Sequence, residues 1–220
     1  MSRRHEQLKE EIFIPEPFVY CPLTENANDT KGHLSWTTNT VSQYSLTLGA
    51  RFGGSNYMRC NNSFSFANIK TLCYYVRFDS IPTDGNSATW HVMHYIRGNN
   101  NESYRYYGML QHFSNENAEL TNCAVTGGSF NQNTSVMTTP FGSTLVNTWY
   151  KIALRVNASQ NNVTVFIDTY KKDISGTIPT SASCDIKLGA HPNNVRYLKG
   201  YMKDFRIWDV ELTDEQIAAL

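Results

Sequence analysis

Between residues 149 and 168 the chain alternates apolar and polar side chains with a period of two on both sides of a turn. Tyr150, Ile152, Leu154 and Val156 interleave with Lys151, Ala153, Arg155 and Asn157; after ASQNN (158–162) the pattern resumes at Val163, Val165 and Ile167. Only an extended backbone sends successive side chains to opposite faces, so this stretch predicts a hairpin with one buried face. Turn clusters recur at short intervals elsewhere: GGSN (53–56), NNS (61–63), PTDGNS (82–87), RGNNNES (97–103) and TGGSFNQN (126–133). Short strands divided this often predict an all-β sandwich or barrel rather than alternating strands and helices.

The one segment with a helical start signal is LTDEQIAAL at the carboxy end. Thr213 and Gln216 have the spacing of a capping box, and Leu212 and Ile217 that of a hydrophobic staple. Residues 1–17 precede the strand pattern. They mix Arg3, Arg4 and Lys9 with Glu6, Glu10 and Glu11, then pass through Ile12, Phe13 and Ile14 to Pro15 and Pro17. So few apolar residues bury little, and residues 1–17 are expected to act as a docking arm for a homo-oligomer or larger assembly. Residues 18–220 then form one domain, with no repeat or linker dividing them.

Charge narrows the function. Lysine plus arginine and aspartate plus glutamate number 19 each, so the net charge is zero and no basic stripe marks a nucleic-acid partner. No apolar run reaches membrane-spanning length, and no signal-peptide pattern is present. The sequence therefore predicts no membrane insertion, and a virion or released surface role rather than classical secretion. Five cysteines lie far apart without a C-x-x-C pair. Buried thiols are the expected reading, with one long-range disulfide left open.

Four blocks resemble the laminin-G-like (pentraxin/LamG-type) branch of the concanavalin A-like lectin/glucanase superfamily. They are FVYCPLTENANDTKG (18–32), CYYVRFDSI (73–81), NTWYKIALRVNASQNNVTVFID (147–168) and IKLGAHPNNVRYLKGYMKDFRIWDVELTDEQIAAL (186–220). The resemblance implies a two-sheet antiparallel jelly roll with a short carboxy-terminal helix. It departs from the family pattern at Asp168, which Thr169 follows where the family often has Asp-Gly. It departs again at Lys203-Asp204, where the family commonly has paired acids. By the same resemblance Asp29, in a turn, and Asp204, on the closing strand, come close enough to be candidate calcium ligands; otherwise they are a turn former and a salt-bridge partner. Trp149 and Trp208 fall in its structural blocks and are expected in the core.

The central region is densest in aromatic and imidazole groups: Trp90, His91, Tyr95, Tyr104, Tyr106, Tyr107 and His112 crowd two strands and their connection. Rings with polar tips suit sugars, stacking on C–H faces while bonding hydroxyls. Cross-strand packing explains the same residues without a ligand. His91 and His94, three apart, are expected on opposite faces of a strand. No paired acids alternate along a strand as glycosidases require, and no other catalytic motif appears, so no catalytic residue is expected. The leading expectation is a non-catalytic, lectin-like module for a glycan or glycosylated surface. A structural, decoration or receptor-binding component of a phage virion is the alternative, and a hydrolase or lyase of the same fold comes third.

Overall fold

In the computed structural model the alternating segment forms β11 (Trp149–Asn157) and β12 (Asn162–Ile167), paired antiparallel with Ile152 opposite Ile167 and Val156 opposite Val163. The structure describes residues 11–82, 89–98, 101–112, 118–126, 136–138, 144–157, 159, 161–175 and 183–220. From β11 the sheet extends through β6 (Thr71–Phe78) to β15 (Lys199–Trp208). It ends in β13 (Tyr170–Ser175) beside β12, and in β4 (Gly49–Gly53) and β3 (Tyr44–Ser45) beyond β15. A further strand, β1 (Val19–Cys21), pairs with the last part of β15, giving eight strands among the described residues.

The second sheet runs β10 (Val136–Thr138), β9 (Ala118–Thr126), β8 (Asn101–His112), β7 (His91–Gly98), β14 (Ser183–Leu188), β5 (Met58–Ser65) and β2 (Thr38–Asn39). Its seven strands pair antiparallel, as do those of the first sheet. Inward positions of both sheets merge in one core: Ile152, Leu154 and Val165 from one meet Ile96, Leu110 and Ile186 from the other. Each such side chain contributes about 1.5–3 kcal/mol when fully buried. The expected antiparallel sandwich is therefore the observed fold.

The departure at Asp168 costs no turn. Asp168 adopts the left-handed conformation itself (φ 52°), and its carboxylate accepts a hydrogen bond from the Lys151 N–H at 2.8 Å. Asp204 likewise takes a positive φ (55°) at the irregularity in β15 between Lys203 and Arg206. Above it β15 pairs with β4, and below it with β1.

The predicted helix is α1 (Asp214–Ala219). Thr213 accepts from the Gln216 N–H at 3.2 Å, and the Gln216 side chain accepts from the Thr213 N–H at 2.8 Å. The staple residues Leu212 and Ile217 join Cys73, Ala153, Phe166 and Trp208 in a second apolar cluster on the outward face of the eight-stranded sheet.

This cluster also holds part of the amino-terminal segment. Ile14 packs against it, the Trp208 indole N–H donates to the Pro15 carbonyl at 2.8 Å, and Gln216 donates to the Phe13 carbonyl at 2.8 Å. Residues 13–15 thus bind their own sandwich, so the break at residue 18 is not a break in packing. Ile14 is a contact of the domain, while Phe13 stays 79 % exposed. Residues 1–10 of the proposed arm lie outside the described residues. Trp149 also departs from expectation. Its neighbour Tyr150 takes the core position, and the Trp149 ring lies half-buried beneath the Lys203 ammonium, 4.6 Å away. Cys21, Cys60, Cys73 and Cys184 are buried thiols, and none of these four is in a disulfide. The side chain of Cys123 lies outside the described residues.

Candidate functional site

The outward face of the seven-stranded sheet is built in rows. Arg59 on β5, Lys187 on β14, Tyr95 on β7 and Tyr107 on β8 stand directly opposite one another in successive strand pairs. The next row holds Asp185, Arg97 and Arg105. The side-chain period of two puts both rows on the face opposite Ile186, Ile96 and Tyr106, which point into the core.

Asp185 organises the charged end. It is 4 % exposed, and its carboxylate accepts from Arg59 through Nε (3.0 Å) and Nη2 (2.8 Å), with Arg97 Nε at 3.7 Å. Such a fork suits a carboxylate better than a lysine would. Lys187 is turned toward the following loop. Its ammonium donates to the carbonyls of His191 (3.0 Å) and Pro192 (3.3 Å) and to the Asn194 side chain, and lies 4.2 Å from the Tyr57 ring centre. Burial foremost, then the Arg59 charge, brings the Lys187 ammonium down to about 8. This loop delivers His191 edge-on to Tyr95, with 5.3 Å between centroids.

The aromatic end is a small apolar cluster of Val92, Tyr95, Tyr107 and Met109, with Trp90 packed against it. Tyr95 and Tyr107 stack at 6.1 Å, and the Arg196 guanidinium lies 5.1 Å from the Trp90 ring centre. Three of the residues expected to recognise a sugar, Trp90, Tyr95 and Tyr107, are thus brought together. Tyr95 and Tyr107 are only 5 % and 4 % exposed, however, so they act as floor rather than open stacking platforms. Trp90 is the partly exposed ring of the set.

The other sugar candidates are placed elsewhere. Tyr106 packs edge-on against Phe66 in the core at 5.5 Å. His91 and His94 do not lie on opposite faces: the strand pairing slips between Val92 and His94, and this bulge turns both rings inward. Gly108 opposite makes the room, since a Cβ there would lie 2.7 Å from Met93 and 2.8 Å from the His94 ring. His94 Nδ1 sits 2.6 Å from the Tyr74 hydroxyl, while His94 Nε2 and His91 Nδ1 have no partner among the described residues. Burial brings the His91 imidazole down to about 4, helped by Lys199, and burial brings the His94 imidazole down to about 3. Tyr104 and His112 are in β8, and their side chains lie outside the described residues.

Asp29 and Asp204, the candidate calcium ligands, each accept hydrogen bonds from donors of the protein itself. Asp29 Oδ1 accepts from the N–H groups of Tyr20 (2.8 Å) and Lys31 (3.0 Å), and Oδ2 from those of His33 (2.7 Å) and Leu34 (2.9 Å). Four converging donors occupy the lone pairs that a cation would need. Asp204 accepts from the Tyr20 hydroxyl (3.0 Å) and from Arg206 (3.3 Å), so Tyr20 spans the two carboxylates with its backbone on one and its hydroxyl on the other. No group of three or more His, Cys, Asp or Glu side chains suited to a metal occurs among the described residues. Beside the Asp29 turn is an open groove of about 530 Å³, with Asn28, Ser35, Trp36 and Asn39 in its lining.

The arginines and Asp185 were not singled out from the sequence. A signal was present, since Asp185-x-Lys187, Tyr95-x-Arg97 and Arg105-x-Tyr107 each place two polar-tipped residues with period two between buried ones.

These features define a two-sheet antiparallel sandwich, and the sequence comparison assigns its family. The chain belongs to the concanavalin A-like lectin/glucanases superfamily, whose laminin-G-type model matches residues 52–218. Human usherin is 32 % identical over 84 residues, covering 34 % of this chain and 2 % of usherin. Among solved structures, domain 4 of AbnA, a GH43 extracellular arabinanase from Geobacillus stearothermophilus in complex with arabinotriose, superposes with a TM-score of 0.58 at 18 % identity. That match covers 93 % of this chain and 97 % of the other. A native heptameric SAP-like pentraxin from Limulus polyphemus matches with a TM-score of 0.53 at 13 % identity, covering 76 % and 78 % of the two chains. At these identities the structural likeness is one of fold. No helix among the described residues is long and apolar enough to cross a membrane.

Proposed function

We propose that the protein is a non-catalytic carbohydrate-recognition module that binds through the outward face of its seven-stranded sheet. The observation that carries this reading is the row-by-row juxtaposition of Trp90, Tyr95 and Tyr107 with Arg59, Arg97 and Arg105, an apolar floor edged by hydrogen-bond donors. Sugars require that combination of surfaces. Domain 4 of the arabinanase AbnA, described in complex with arabinotriose, adds support from a protein of the same fold. The absence of catalysis is inferred from chemistry. Glycoside hydrolysis normally uses two carboxyl groups flanking one bond, whereas Asp185 is the one carboxylate among the described side chains of the seven-stranded sheet, and Arg59 holds both its oxygens.

The test is a glycan array followed by titration of the best ligand, with reducing-end release measured in parallel. Reversible binding that Trp90→Ala weakens and Trp36→Ala leaves intact supports the reading. Binding lost through Trp36→Ala instead moves the site to the groove beside Asp29. Release of reducing ends would make the protein a hydrolase. A role in virion adhesion uses the same face and is checked by co-purification with particles.

A further inference from the structure

We infer that the groove beside Asp29 is a second binding site, built for an uncharged saccharide and separate from the seven-stranded face. It is formed by the segment that joins β1 to β2, and its volume of about 530 Å³ is that of a small-ligand site. The walls are fixed by the protein's own contacts. The Trp36 indole N–H donates to the Ala27 carbonyl at 2.7 Å and closes residues 27–36 into a loop. Inside that loop the Asp29 carboxylate gathers the N–H groups of Lys31, His33 and Leu34 and ties them to that of Tyr20 on β1. The His33 ring stacks on Phe18 with 4.0 Å between centroids, and Trp36 packs against the core beside Phe205. A wall held at so many points loses little conformational freedom when a ligand binds.

The chemistry of the lining selects the ligand class. An anion needs a cation or free backbone N–H groups, but Asp29 has taken four of the latter, and Lys31 donates to Glu16 at 2.8 Å. An apolar ligand would strip water from the exposed side chains of Asn28, Ser35 and Asn39 and return no hydrogen bond. Amides and hydroxyls both donate and accept, as sugar hydroxyls do. The Asn28 side chain and the Ser35 hydroxyl bond to no other described residue. Asn39 is oriented: its Oδ1 accepts from the Val41 N–H at 2.9 Å and its Nδ2 donates to the Tyr44 hydroxyl at 3.0 Å, leaving a second N–H for a ligand. The partly exposed Trp36 ring adds apolar surface for the C–H face of a sugar. At Gly32 the rim is open, since nothing lies within 4 Å of where a Cβ would stand.

The experiment titrates the isotope-labelled full chain with arabinotriose, cellotriose, mannotriose and a trimer of galacturonate, at low and high salt. NMR follows the Trp36 indole N–H, assigned as the resonance that Trp36→Phe removes, and calorimetry measures affinity. At least one uncharged trisaccharide is expected to shift that resonance, with an affinity that salt leaves unchanged. Asn28→Ala combined with Ser35→Ala should lower the affinity about tenfold, the scale of the hydrogen bonds removed. Ser35→Tyr, which fills the groove from an exposed position, should abolish this binding with Tm unchanged. Trp90→Ala should leave it as in the wild type. A resonance that stays still through millimolar concentrations of every trisaccharide would overturn the inference and leave the seven-stranded face untouched. A shift caused by the galacturonate trimer alone would overturn the uncharged class. Binding that both the double alanine variant and Ser35→Tyr retain would overturn it by placing the sugar elsewhere. Binding of every glycan that needs Trp36 and not Trp90 would support the groove and sink the seven-stranded face as a site.

Discussion

On the eight-stranded sheet the outward side chains Cys73, Ala153, Phe166 and Trp208 are covered by the chain itself, through α1 and residues 13–15. On the seven-stranded sheet, Val92, Tyr95, Tyr107 and Met109 are flanked by a loop carrying His191 and by Arg59, Arg97 and Arg196. The first face answers the need of any sandwich to hide apolar outward residues. The second retains charge and partly exposed donors beside its apolar floor. The contrast teaches that a large aromatic residue has different consequences on the two faces: it closes the structure on one and prepares a surface on the other.

The largest test of that contrast is Trp208→Ala. The ring is 1 % exposed and its indole N–H is held by Pro15, so its loss should cost about 3–5 kcal/mol in urea unfolding. A cost near zero would show that the end of the chain does not seal this face.

Acid should act on the interior between the two faces. His91 and His94 both have lowered folded values, about 4 and about 3. The unfolded chain therefore takes up protons first as pH falls below about 6.5. Their contribution is fully present above that pH and is lost as pH drops toward those folded values, by about 2 kcal/mol per imidazole at pH 5. Urea titrations at pH 7 and pH 5 measure it, and His91→Leu should remove about half the difference. Equal stability at the two pH values would mean that the bulge does not turn these rings inward.

Asp29→Ala, which strips an acceptor from four backbone N–H groups, should cost about 2 kcal/mol. The loss should be the same with millimolar calcium or with chelator. A calcium-dependent rise in wild-type Tm that this substitution abolishes would restore Asp29 as a ligand.

The smaller effects compare exposed tryptophans. Trp90→Ala, removing a partly exposed ring paired with Arg196, should cost about 1 kcal/mol in stability while weakening glycan binding. Trp149→Ala removes a half-buried ring and its contact with Lys203, and should cost less than about 1 kcal/mol with binding unchanged. If Trp149→Ala were as damaging as Trp208→Ala, the placement of Tyr150 rather than Trp149 in the core would be wrong.

Local patterns in the sequence were enough for the strands, the capped helix and the sandwich. Tyr150 to Val156 alternate because an extended chain has period two, and Thr213 with Gln216 caps a helix within four residues of chain. Those patterns also brought Trp90, Tyr95 and Tyr107 to notice as a group. They could not separate Tyr106 from Tyr107 by face, because both are apolar rings with polar tips. Nor could they foresee the bulge that turns His94 inward, since its cause, the space left by Gly108, lies on the neighbouring strand. The charged rows were further out of reach. Arg59 meets Asp185 across 126 residues of sequence, and Arg97 and Arg105 join them only because β14 inserts between β5 and β7. Alternation tells which side of its own strand a residue takes. Which strands become neighbours is decided by burying the whole core at once, and that choice set Arg59 and Arg97 around the carboxylate of Asp185.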